Sequence, residues 1–408
     1  MGARLGRRKF IAGTAAASLL PRVAFAQSEP LRLGLLTIKS GPLASGGVQI
    51  EQGLTLYLKE HNYTLGGRKV ELTVADTGGN PAGAKNKAQE LVERDKVEIL
   101  AGPFAAFEML AITDYVQEHK IPTLALAGAD DVTQRRPNPY FVRTSATSSQ
   151  AMHPLGDFAR KELKLNRVIT LSEDFAFGYE QIGGFQRVFE DEGGRVVAKL
   201  WPPLVTGDFT PFIAQITGVD GVITGVTGSN PIKFVKQYAD AGVKLPLLGG
   251  EGTADDSLLP RFGDEAIGLI TACPYSTDLP YEANRRFVAL FEKEYNTLPG
   301  FSALTFYING QIIEAALKVT GGKTSDGDAL VKAMRALKFT DTARGPMHFD
   351  HLGNVVANIY IRRIDKKGGK LVNTTIKTYP NVSQFWTFDE KWYLSQPVYS
   401  RDYPPLKS

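Results

Sequence analysis

The sequence contains a single cysteine, Cys273, among its 408 residues. One cysteine forms no disulfide bond within the chain and supplies no cysteine-rich zinc site. Cys273 follows the apolar run Leu269–Ala272, and free cysteines in apolar surroundings are usually packed in a core. We therefore predict a buried Cys273 with a packing role, and a fold without disulfide bonds.

The sequence also lacks a strong charge of either sign. It has 47 basic and 43 acidic side chains, a formal net charge of +4. Five of the basic residues lie in the first 26 positions, which contain no acid, so the remaining chain has 42 basic and 43 acidic residues. A nearly neutral chain gives no electrostatic reason to expect nucleic-acid or anionic-membrane binding. The length suggests two or three domains at roughly 100–200 residues each.

Motifs for catalysis and for cofactor binding are absent too. None of the 5 histidines stands in a His-Glu-x-x-His motif, and no phosphate-binding glycine loop or Gly-x-Ser-x-Gly elbow occurs. His348 and His351 flank a predicted turn, where solvated side chains are more common than zinc ligands. We predict neither a cofactor nor a metal, and these absences favour a binding protein over an enzyme.

Two pairs of adjacent acids allow either metal chemistry or helix capping. Asp130-Asp131 and Asp255-Asp256 both follow predicted strands at points where helices start. Carboxylates are common N-caps because they accept hydrogen bonds from the free amides of the first helical turn. We predict capping for both pairs.

The first 26 residues have the pattern of an export signal. The basic segment Arg4–Lys9 precedes the apolar run Phe10–Leu20 and the small-residue pattern Ala24-Phe25-Ala26, which predicts cleavage after Ala26. Arg7-Arg8 and the residues after it resemble a twin-arginine signal. The apolar run is shorter than the roughly 20 residues that span a membrane, and no later run is long enough. We expect a mature protein in the periplasm.

Short apolar runs alternate with helical patterns along the rest of the chain. Leu31–Ile38 precedes Val48–His61, whose apolar residues recur at helical spacing, and the same rhythm resumes with Val168–Ser172 and Gly178–Glu192. Strands that alternate with helices predict an α/β fold in which helices cover parallel sheets. We predict two such units of similar size, joined by a strand at Tyr140–Ser145.

The last third of the chain has a different pattern. Three predicted helices begin at Tyr281 and end near Leu337, and two strands, Gly345–Asp350 and Val355–Ile364, flank a turn. The last 28 or so residues mix aromatic residues with prolines. We predict an irregular wrap there, with a short strand or two.

Loops at the carboxyl ends of the predicted strands are the expected ligand site. Open α/β sheets bind ligands beyond these ends, and two lobes that face each other would close on a solute by a hinge motion. Several loops carry phenylalanines, and Glu251, between two glycines, is a candidate acceptor for an ammonium or a hydroxyl, with a solvated loop acid as the equal alternative. The predicted binding residues are Ser45, Phe104, Ala105, Ala106, Phe107, Ala127, Gly128, Ala129, Phe175, Phe177, Thr227 and Glu251.

A set of short motifs, in this order, resembles the type I periplasmic binding proteins, in particular the Leu/Ile/Val-binding branch that serves ABC importers. The likeness extends from about Leu31 to Ile364. The motifs are Ser40-Gly41-Pro42, Asp76 with Asn80-Pro81, Leu100-Ala101-Gly102-Pro103, Phe141-Val142-Arg143-Thr144, Asp174-Phe175-Ala176-Phe177-Gly178, Gly249-Gly250-Glu251-Gly252, and Gly345-Pro346-Met347-His348-Phe349-Asp350 with Gly353.

The resemblance implies two Rossmann-like lobes with parallel sheets, joined by a hinge of three crossings. The first lobe would contain residues 30–145 and 276–348. The second would contain residues 146–275 and 349–380, and residues 381–408 would form the C-terminal wrap. It further implies an ABC permease and an ATPase as partners, and we expect a monomer.

The resemblance also bears on the ligand. Amino-acid binders of this family hold the α-carboxylate with a Ser and a Thr hydroxyl, and those positions match Ala106 and approximately Ala129, which have none. Glu251 matches the acid that binds the ammonium, and Phe177 matches the aromatic residue that closes the pocket. A carboxylate site without its hydroxyls loses discrimination.

We therefore expect a small aromatic carboxylate, because some family members bind hydroxybenzoates and hydroxycinnamates. A branched-chain or other amino acid is the alternative. An exported enzyme on this fold and a sensory ligand-binding protein are further possibilities.

Overall fold

The computed structural model describes residues 1–2 and 29–407. The predicted export signal from residue 3 onward, with its cleavage site at Ala26, lies outside the described residues. No helix in the described part of the chain is long and apolar enough to cross a membrane.

The first sheet has six strands in the order β2-β3-β1-β4-β5-β6. Its pairs are parallel except for the antiparallel contact between β2 and β3. Leu31, Leu33 and Leu35 lie on one face of β1 and Leu36 on the other, and all four are buried, as expected of a central strand that is covered by helices on both sides. The strands are β1 (Leu31–Thr37), β2 (Thr64–Leu65), β3 (Arg68–Asp76), β4 (Ile99–Ala101), β5 (Thr123–Ala125) and β6 (Phe141–Arg143).

The second sheet has nine strands, in the order β12-β13-β14-β11-β10-β9-β7-β8, with β15 also paired to β14. Strands β7 to β11 pair in parallel, and β11 to β15 pair through antiparallel contacts with β14 and β13. The strands are β7 (Arg167–Leu171), β8 (Arg195–Leu200), β9 (Gly221–Thr224), β10 (Leu247–Gly249), β11 (Ile270–Cys273), β12 (Lys338–Phe339), β13 (Met347–Phe349), β14 (Val355–Lys367) and β15 (Lys370–Val382).

Eleven α-helices are present in the described residues, and most cover the two sheets. Helices α1 to α3 and α8 to α10 pack in the half of the first sheet, and α4 to α7 pack in the half of the second. The helices are α1 (Ala44–Glu60), α2 (Pro81–Gln89), α3 (Ala106–Glu118), α4 (Met152–Lys161), α5 (Ala176–Asp191), α6 (Thr210–Ile213), α7 (Asn230–Asp240), α8 (Glu282–Tyr295), α9 (Phe301–Thr320), α10 (Gly327–Arg335) and α11 (Glu390–Ser395).

Helices α1 and α9 bring distant parts of the chain into one half. They touch at Gly53, where a Cβ atom would lie 1.9 Å from the Ala303 carbonyl oxygen. Glycine is required there because the two backbones approach so closely. The contact fixes the start of α9 beside the middle of α1, close to the cavity described below.

The predicted α/β architecture with parallel-rich sheets is confirmed, and the differences lie in polar segments. Asn80 as a cap and Pro81 at the first position predict a helix over Pro81–Lys96, but the α-helix ends at Gln89 and continues as a π-helical turn at Glu90–Arg94. Strand β15 was not predicted, because Lys, Asn and Pro residues interrupt its strand-forming residues such as Val372, Ile376 and Tyr379. The C-terminal segment contains helix α11 instead of a strand. The boundaries of the two lobes stay predictions.

The structure separates the two acidic pairs. Asp255 accepts a hydrogen bond from the Ser257 amide at 3.0 Å and caps a short 3-10 turn at Asp256–Arg261, so capping is confirmed there. The prediction is wrong for Asp130, which is buried within its turn and accepts from the Ser149 amide at 3.2 Å. The Asp130 carboxyl therefore contacts a segment at the junction of the two halves and does not cap a local helix.

Cys273 is fully buried, as predicted. Burial raises the pKa of its thiol to about 12. The thiolate is the reactive form, so Cys273 is inert at neutral pH and serves packing.

The C-terminal segment buries His153 of α4. The imidazole ring is 0% exposed, and neither ring nitrogen has a hydrogen-bond partner within the described residues. The rings of Trp386, Phe388 and Tyr393 surround it at centroid distances of 6.0–6.5 Å. Burial, together with the positive charge of Arg187, lowers the pKa of His153 to about 3.

We expect His153 to make the protein acid-sensitive. The unfolded chain binds a proton at His153 below about pH 6.5 and the folded protein does not until about pH 3, so folding stability falls as the pH drops through this window, by about 1.4 kcal/mol per pH unit. The His153→Leu variant should lose about 2 kcal/mol less than the wild type between pH 6.5 and pH 5. Urea unfolding at both pH values measures the difference, and parallel losses in the two proteins would contradict it.

Candidate functional site

A cavity lies between the two halves, at the carboxyl ends of the parallel strands. It holds about 710 Å³ of space, part of which is open to solvent. Nine of the twelve residues predicted from the sequence line it, namely Ser45, Phe104, Ala105, Ala106, Gly128, Phe175, Phe177, Thr227 and Glu251. The rule that ligand sites follow strand ends therefore selects residues that meet in space, although they come from separate loops.

The other three predicted residues do not line the cavity. Phe107 lies outside it and contacts the edge of Phe175 at a ring-centroid distance of 6.0 Å. The carbonyl oxygens of Ala127 and Ala129 both accept hydrogen bonds from the buried guanidinium of Arg143. These two alanines lie behind the cavity wall, and their carbonyl oxygens bind an arginine at the junction between the halves.

Sequence reasoning missed eleven wall residues, most of them glycine, leucine or small polar residues. Phe301 and Ser302 had a usable signal, because Leu298-Pro299-Gly300 marks a helix start. The sequence places that helix far along the chain, however, and does not reveal that it begins at this cavity. The missed residues are Leu43, Gly46, Gln49, Leu126, Gly228, Gly252, Asp255, Ser257, Leu258, Phe301 and Ser302.

Aromatic rings form the walls of the cavity. Phe175 and Phe177 stack with their centroids 5.9 Å apart and their planes inclined by 25°. On the opposite side, the Phe104 ring occupies the space above Gly46, where a Cβ atom would lie only 2.2 Å from its Cζ atom. Phe301 adds a fourth ring. Such walls favour a flat apolar ligand body.

Several helices begin at the cavity. Ser45 and Gly46 stand in the first turn of α1, Ala106 begins α3, and Phe301 and Ser302 begin α9. The first amides of a helix have no partner within the helix, and the helix dipole makes this end partly positive. The cavity is therefore suited to an anionic group, which the Ser45 and Ser302 hydroxyls can also bind.

Glu251 is the ionisable group that the second half buries at the cavity. Glu251 follows β10 and is only 5% exposed. Its Oε2 atom has no hydrogen-bond partner among the described residues. The alternative of a solvated loop acid is therefore wrong. Burial raises the pKa of Glu251 to about 8, and the nearby charges of Arg344 and Arg362 offset this only in part. At pH 7 it is mainly a neutral acid that can donate a hydrogen bond.

The loop that carries Glu251 is fixed by a buried ion pair. Arg362 of β14 donates to the Asp256 carboxylate at 2.9 Å and to the Ala254 carbonyl at 3.1 Å. Its third contact, at 2.8 Å, is to the carbonyl of Tyr275 just after β11. Both charged side chains are fully buried. The guanidinium thus joins the cavity loop to the segment that leaves the second sheet.

A second buried acid holds the neighbouring loop. Glu173 accepts from the Thr227 amide at 3.2 Å and from Asn230 Nδ2 at 3.0 Å. Burial raises the pKa of Glu173 to about 8. Its hydrogen bonds position Thr227 at the cavity wall. Among the described residues, no three or more His, Cys, Asp or Glu side chains are grouped to hold a metal ion.

Comparisons with known proteins agree with this architecture. The sequence matches the profile described as "Periplasmic binding protein" over residues 30–370. It is 30% identical over 383 residues to the Leu/Ile/Val-binding protein homolog 6 of Brucella suis biovar 1, a match that covers 91% of this chain and 97% of that relative.

Two solved structures are similar over most of the chain. The solute-binding protein of an ABC transporter from Rhodopseudomonas palustris BisB5, in complex with 3,4-dihydroxybenzoic acid, is 34% identical with a TM-score of 0.83, covering 87% of this chain and 98% of that one. The benzoate complex of a solute-binding protein from R. palustris is 30% identical with a TM-score of 0.82, at the same coverages.

We expect the Arg362–Asp256 pair to be essential for stability. Asp256→Ala leaves a buried guanidinium without its anion, which typically costs 3–5 kcal/mol, that is, about 4 kcal/mol in the free energy of unfolding. Urea unfolding measures this loss. The control is Asp240→Ala, which breaks the exposed pair with Lys236 and should cost less than about 1 kcal/mol. Equal losses in the two variants would show that the buried pair has no special role.

Proposed function

This chain belongs to the periplasmic binding protein family and is a substrate-binding protein of an ABC transporter, and we propose that its solute is a small aromatic carboxylate of the hydroxybenzoate or hydroxycinnamate type. The solute would bind in the cavity between the two halves and be released unchanged to a membrane permease that an ATPase drives. The family and its structural neighbours are transport proteins rather than enzymes, and their location is the periplasm.

The shape and lining of the cavity support an aromatic ligand. Phe104 lines the cavity from the first half, and the stacked pair Phe175 and Phe177 lines it from the second half. A benzene ring between such walls buries both of its faces. Each buried ring contributes apolar contact, with an additional preference for stacked or edge-on geometry.

The distribution of polar groups supports a carboxylate that is not part of an amino acid. Ala106 and Ala129 lack the hydroxyls that the resemblance to amino-acid binders requires. The anion-binding capacity comes instead from the starts of α1 and α3 and from the hydroxyls of Ser45 and Ser302. These groups suit a ligand whose carboxylate stands at the end of a flat body.

The burial of Glu251 at the cavity, with its Oε2 atom free of partners among the described residues, is the observation that carries the proposal. An ammonium would require the charged form, whereas burial favours the neutral form up to about pH 8. A neutral carboxylic acid donates a hydrogen bond to a ligand oxygen, such as a phenolic oxygen or a carboxylate, without a buried ion pair. An aromatic acid therefore fits the group as the cavity presents it.

The alternative is a branched-chain amino acid. It is favoured by the curated relatives, which are named Leu/Ile/Val-binding protein homologs at 29–30% identity. The ammonium of an amino acid could pair with Glu251 only after this carboxyl had lost its proton to solvent. The structures with benzoate-type ligands have similar or higher identity to this chain, 30–34%, and they support the aromatic acid.

A thermal unfolding screen tests the proposal directly. The mature chain, residues 27–408, is heated with 4-hydroxybenzoate, benzoate, 4-hydroxycinnamate, leucine or isoleucine. An aromatic acid at a hundredfold excess over its dissociation constant should stabilise the protein by about 2.7 kcal/mol. Stabilisation by leucine or isoleucine alone would favour the alternative instead.

We expect Phe177→Ala to weaken the binding of 4-hydroxybenzoate by about 1–3 kcal/mol, because the ring that it removes lines the cavity and buries ligand surface. Isothermal titration calorimetry measures the affinity. Phe339→Ala is the matched control, since it removes a half-buried ring outside the cavity. Unchanged affinity in Phe177→Ala would show that the ligand binds elsewhere.

The pH dependence of binding separates the two ligand classes. If neutral Glu251 donates to an aromatic acid, affinity should be constant below its pKa of about 8 and about tenfold weaker at pH 9 than at pH 7. Glu251→Gln keeps a donor and should remove this dependence while retaining affinity at pH 7. For an ammonium ligand the signs reverse: affinity rises from pH 7 to 9, and Glu251→Gln weakens binding strongly.

A further inference from the structure

A hydrogen bond crosses the cleft beside the cavity. The Oδ2 atom of Asp255 accepts from the backbone N–H of Phe301 at 2.8 Å. Asp255 belongs to the loop after β10 in the second sheet, whereas Phe301 is the first residue of α9, which packs on α1 and β5 in the first half. An acid of one half therefore caps a helix of the other.

The start of α9 receives its two caps from different halves. The N–H of Gly300 donates to Oε1 of Gln49, at 2.7 Å, and Gln49 lies in α1 of the same half. The next amide, that of Phe301, is bound by Asp255. The first cap persists whatever the angle between the halves, but the second exists only while they are closed. A carboxylate at the positive end of a 20-residue helix makes this closed state favourable.

Gly300 shows that the approach of Asp255 is specific. A Cβ atom at Gly300 would lie 1.9 Å from Oδ1 of Asp255 and 2.6 Å from its Cγ atom. The backbone angle of Gly300 is φ −89°, in the extended region, which any residue adopts. The glycine is therefore needed for the carboxylate that arrives from the other half, rather than for the conformation of its own backbone.

Asp255 keeps its second oxygen bound within its own half. Oδ1 accepts from the Ser257 amide at 3.0 Å and from the Ser257 hydroxyl at 2.5 Å. These contacts lie within one loop, so they hold the side chain in place before the halves close. Closure therefore does not incur the entropic cost of ordering the Asp255 side chain.

We propose that Asp255 is a positioning residue for ligand binding, whose carboxylate caps α9 across the cleft and so holds the two halves closed around the solute. This inference rests on the proposed function in that a solute binds in this cavity, but it does not depend on which solute. Other contacts also cross between the halves: the Ser229 amide with the Pro42 carbonyl at 3.0 Å, the Asp130 amide with Oε1 of Glu180 at 3.0 Å, and Phe107 with Phe175. Asp255 differs from these contacts in that its carboxylate caps a helix of the other half.

A double-mutant cycle tests the contact. Asp255→Ala removes the acceptor and Gly300→Ala obstructs it, and each should weaken 4-hydroxybenzoate and benzoate binding by the same factor, about tenfold or more, mainly through faster dissociation. In the Asp255→Ala background, Gly300→Ala should cost less than about twofold, because the atoms nearest the new methyl group are then gone. Stopped-flow dissociation and calorimetry measure both quantities.

The outcomes of the cycle are distinct. Additive losses, or no loss in Gly300→Ala, would overturn the proposal. A loss in Asp255→Ala that differs between benzoate and 4-hydroxybenzoate would make Asp255 a ligand contact and overturn it as well. Asp220→Ala is the matched acid control, because Asp220 accepts backbone amides only within the second half. Gly207→Ala, a glycine with no atom near its Cβ position, is the matched glycine control. Both controls should leave affinity unchanged.

A distance measurement separates this inference from the identity of the solute. Because the buried Cys273 is the only native cysteine, spin labels at Lys85→Cys and Lys233→Cys, both exposed, report the separation of the halves. It is measured without ligand and with the most stabilising solute of the thermal screen. A smaller closed population in the labelled Gly300→Ala variant than in the labelled protein with Gly300 supports the proposal, even if no aromatic acid binds. Equal closed populations overturn it, even if one does.

Discussion

Three buried arginines hold the backbone where the two halves meet. Each is at most 1% exposed. A buried guanidinium is costly unless its donors are satisfied. Every guanidinium nitrogen of Arg143 and Arg362 has an acceptor, whereas in Arg344 only Nη1 has one among the described residues. Most of the acceptors are carbonyl oxygens of segments that pass between the halves or support the cavity. The contacts are Arg143 with Ala127, Arg344 with Thr144 and Ser145, and Arg362 with Ala254 and Tyr275.

The electrostatics of the cavity follow from this arrangement. The arginines donate to backbone carbonyls, and Arg362 also pairs with Asp256, so Glu251 has no direct cationic partner among the described residues and its carboxyl is favoured in the neutral form. Helix starts provide the positive potential instead. The junction thus leaves a cavity with aromatic walls, the buried acid Glu251, the acid Asp255 already bound to the start of α9, and no lysine, arginine or histidine in its lining. This combination supports the aromatic carboxylate that we propose.

Closure and recognition use different groups in this cavity. In the function that we propose, Glu251 and the phenylalanines select the solute, whereas Asp255 spans the cleft to α9 and stabilises the closed form. Because the capping of α9 is divided between Gln49 and Asp255, the closed form gains a contact that the ligand does not have to supply. A transporter receptor benefits from this division, since release requires only that the halves separate.

The sequence by itself determined the α/β class, the family resemblance and nine of the twenty residues that line the cavity, because apolar periodicity and strand-end loops are local features and parallel strands place their ends at one edge. Only the tertiary structure decided that Glu251 is buried, that the carbonyls of Ala127 and Ala129 bind Arg143, and that His153 lies beneath the C-terminal segment. The hydrogen bond between Asp255 and the Phe301 amide likewise has no local sequence signal. The reason is physical: burial and hydrogen-bond partners depend on how two halves dock, and that docking joins atoms which no local pattern relates.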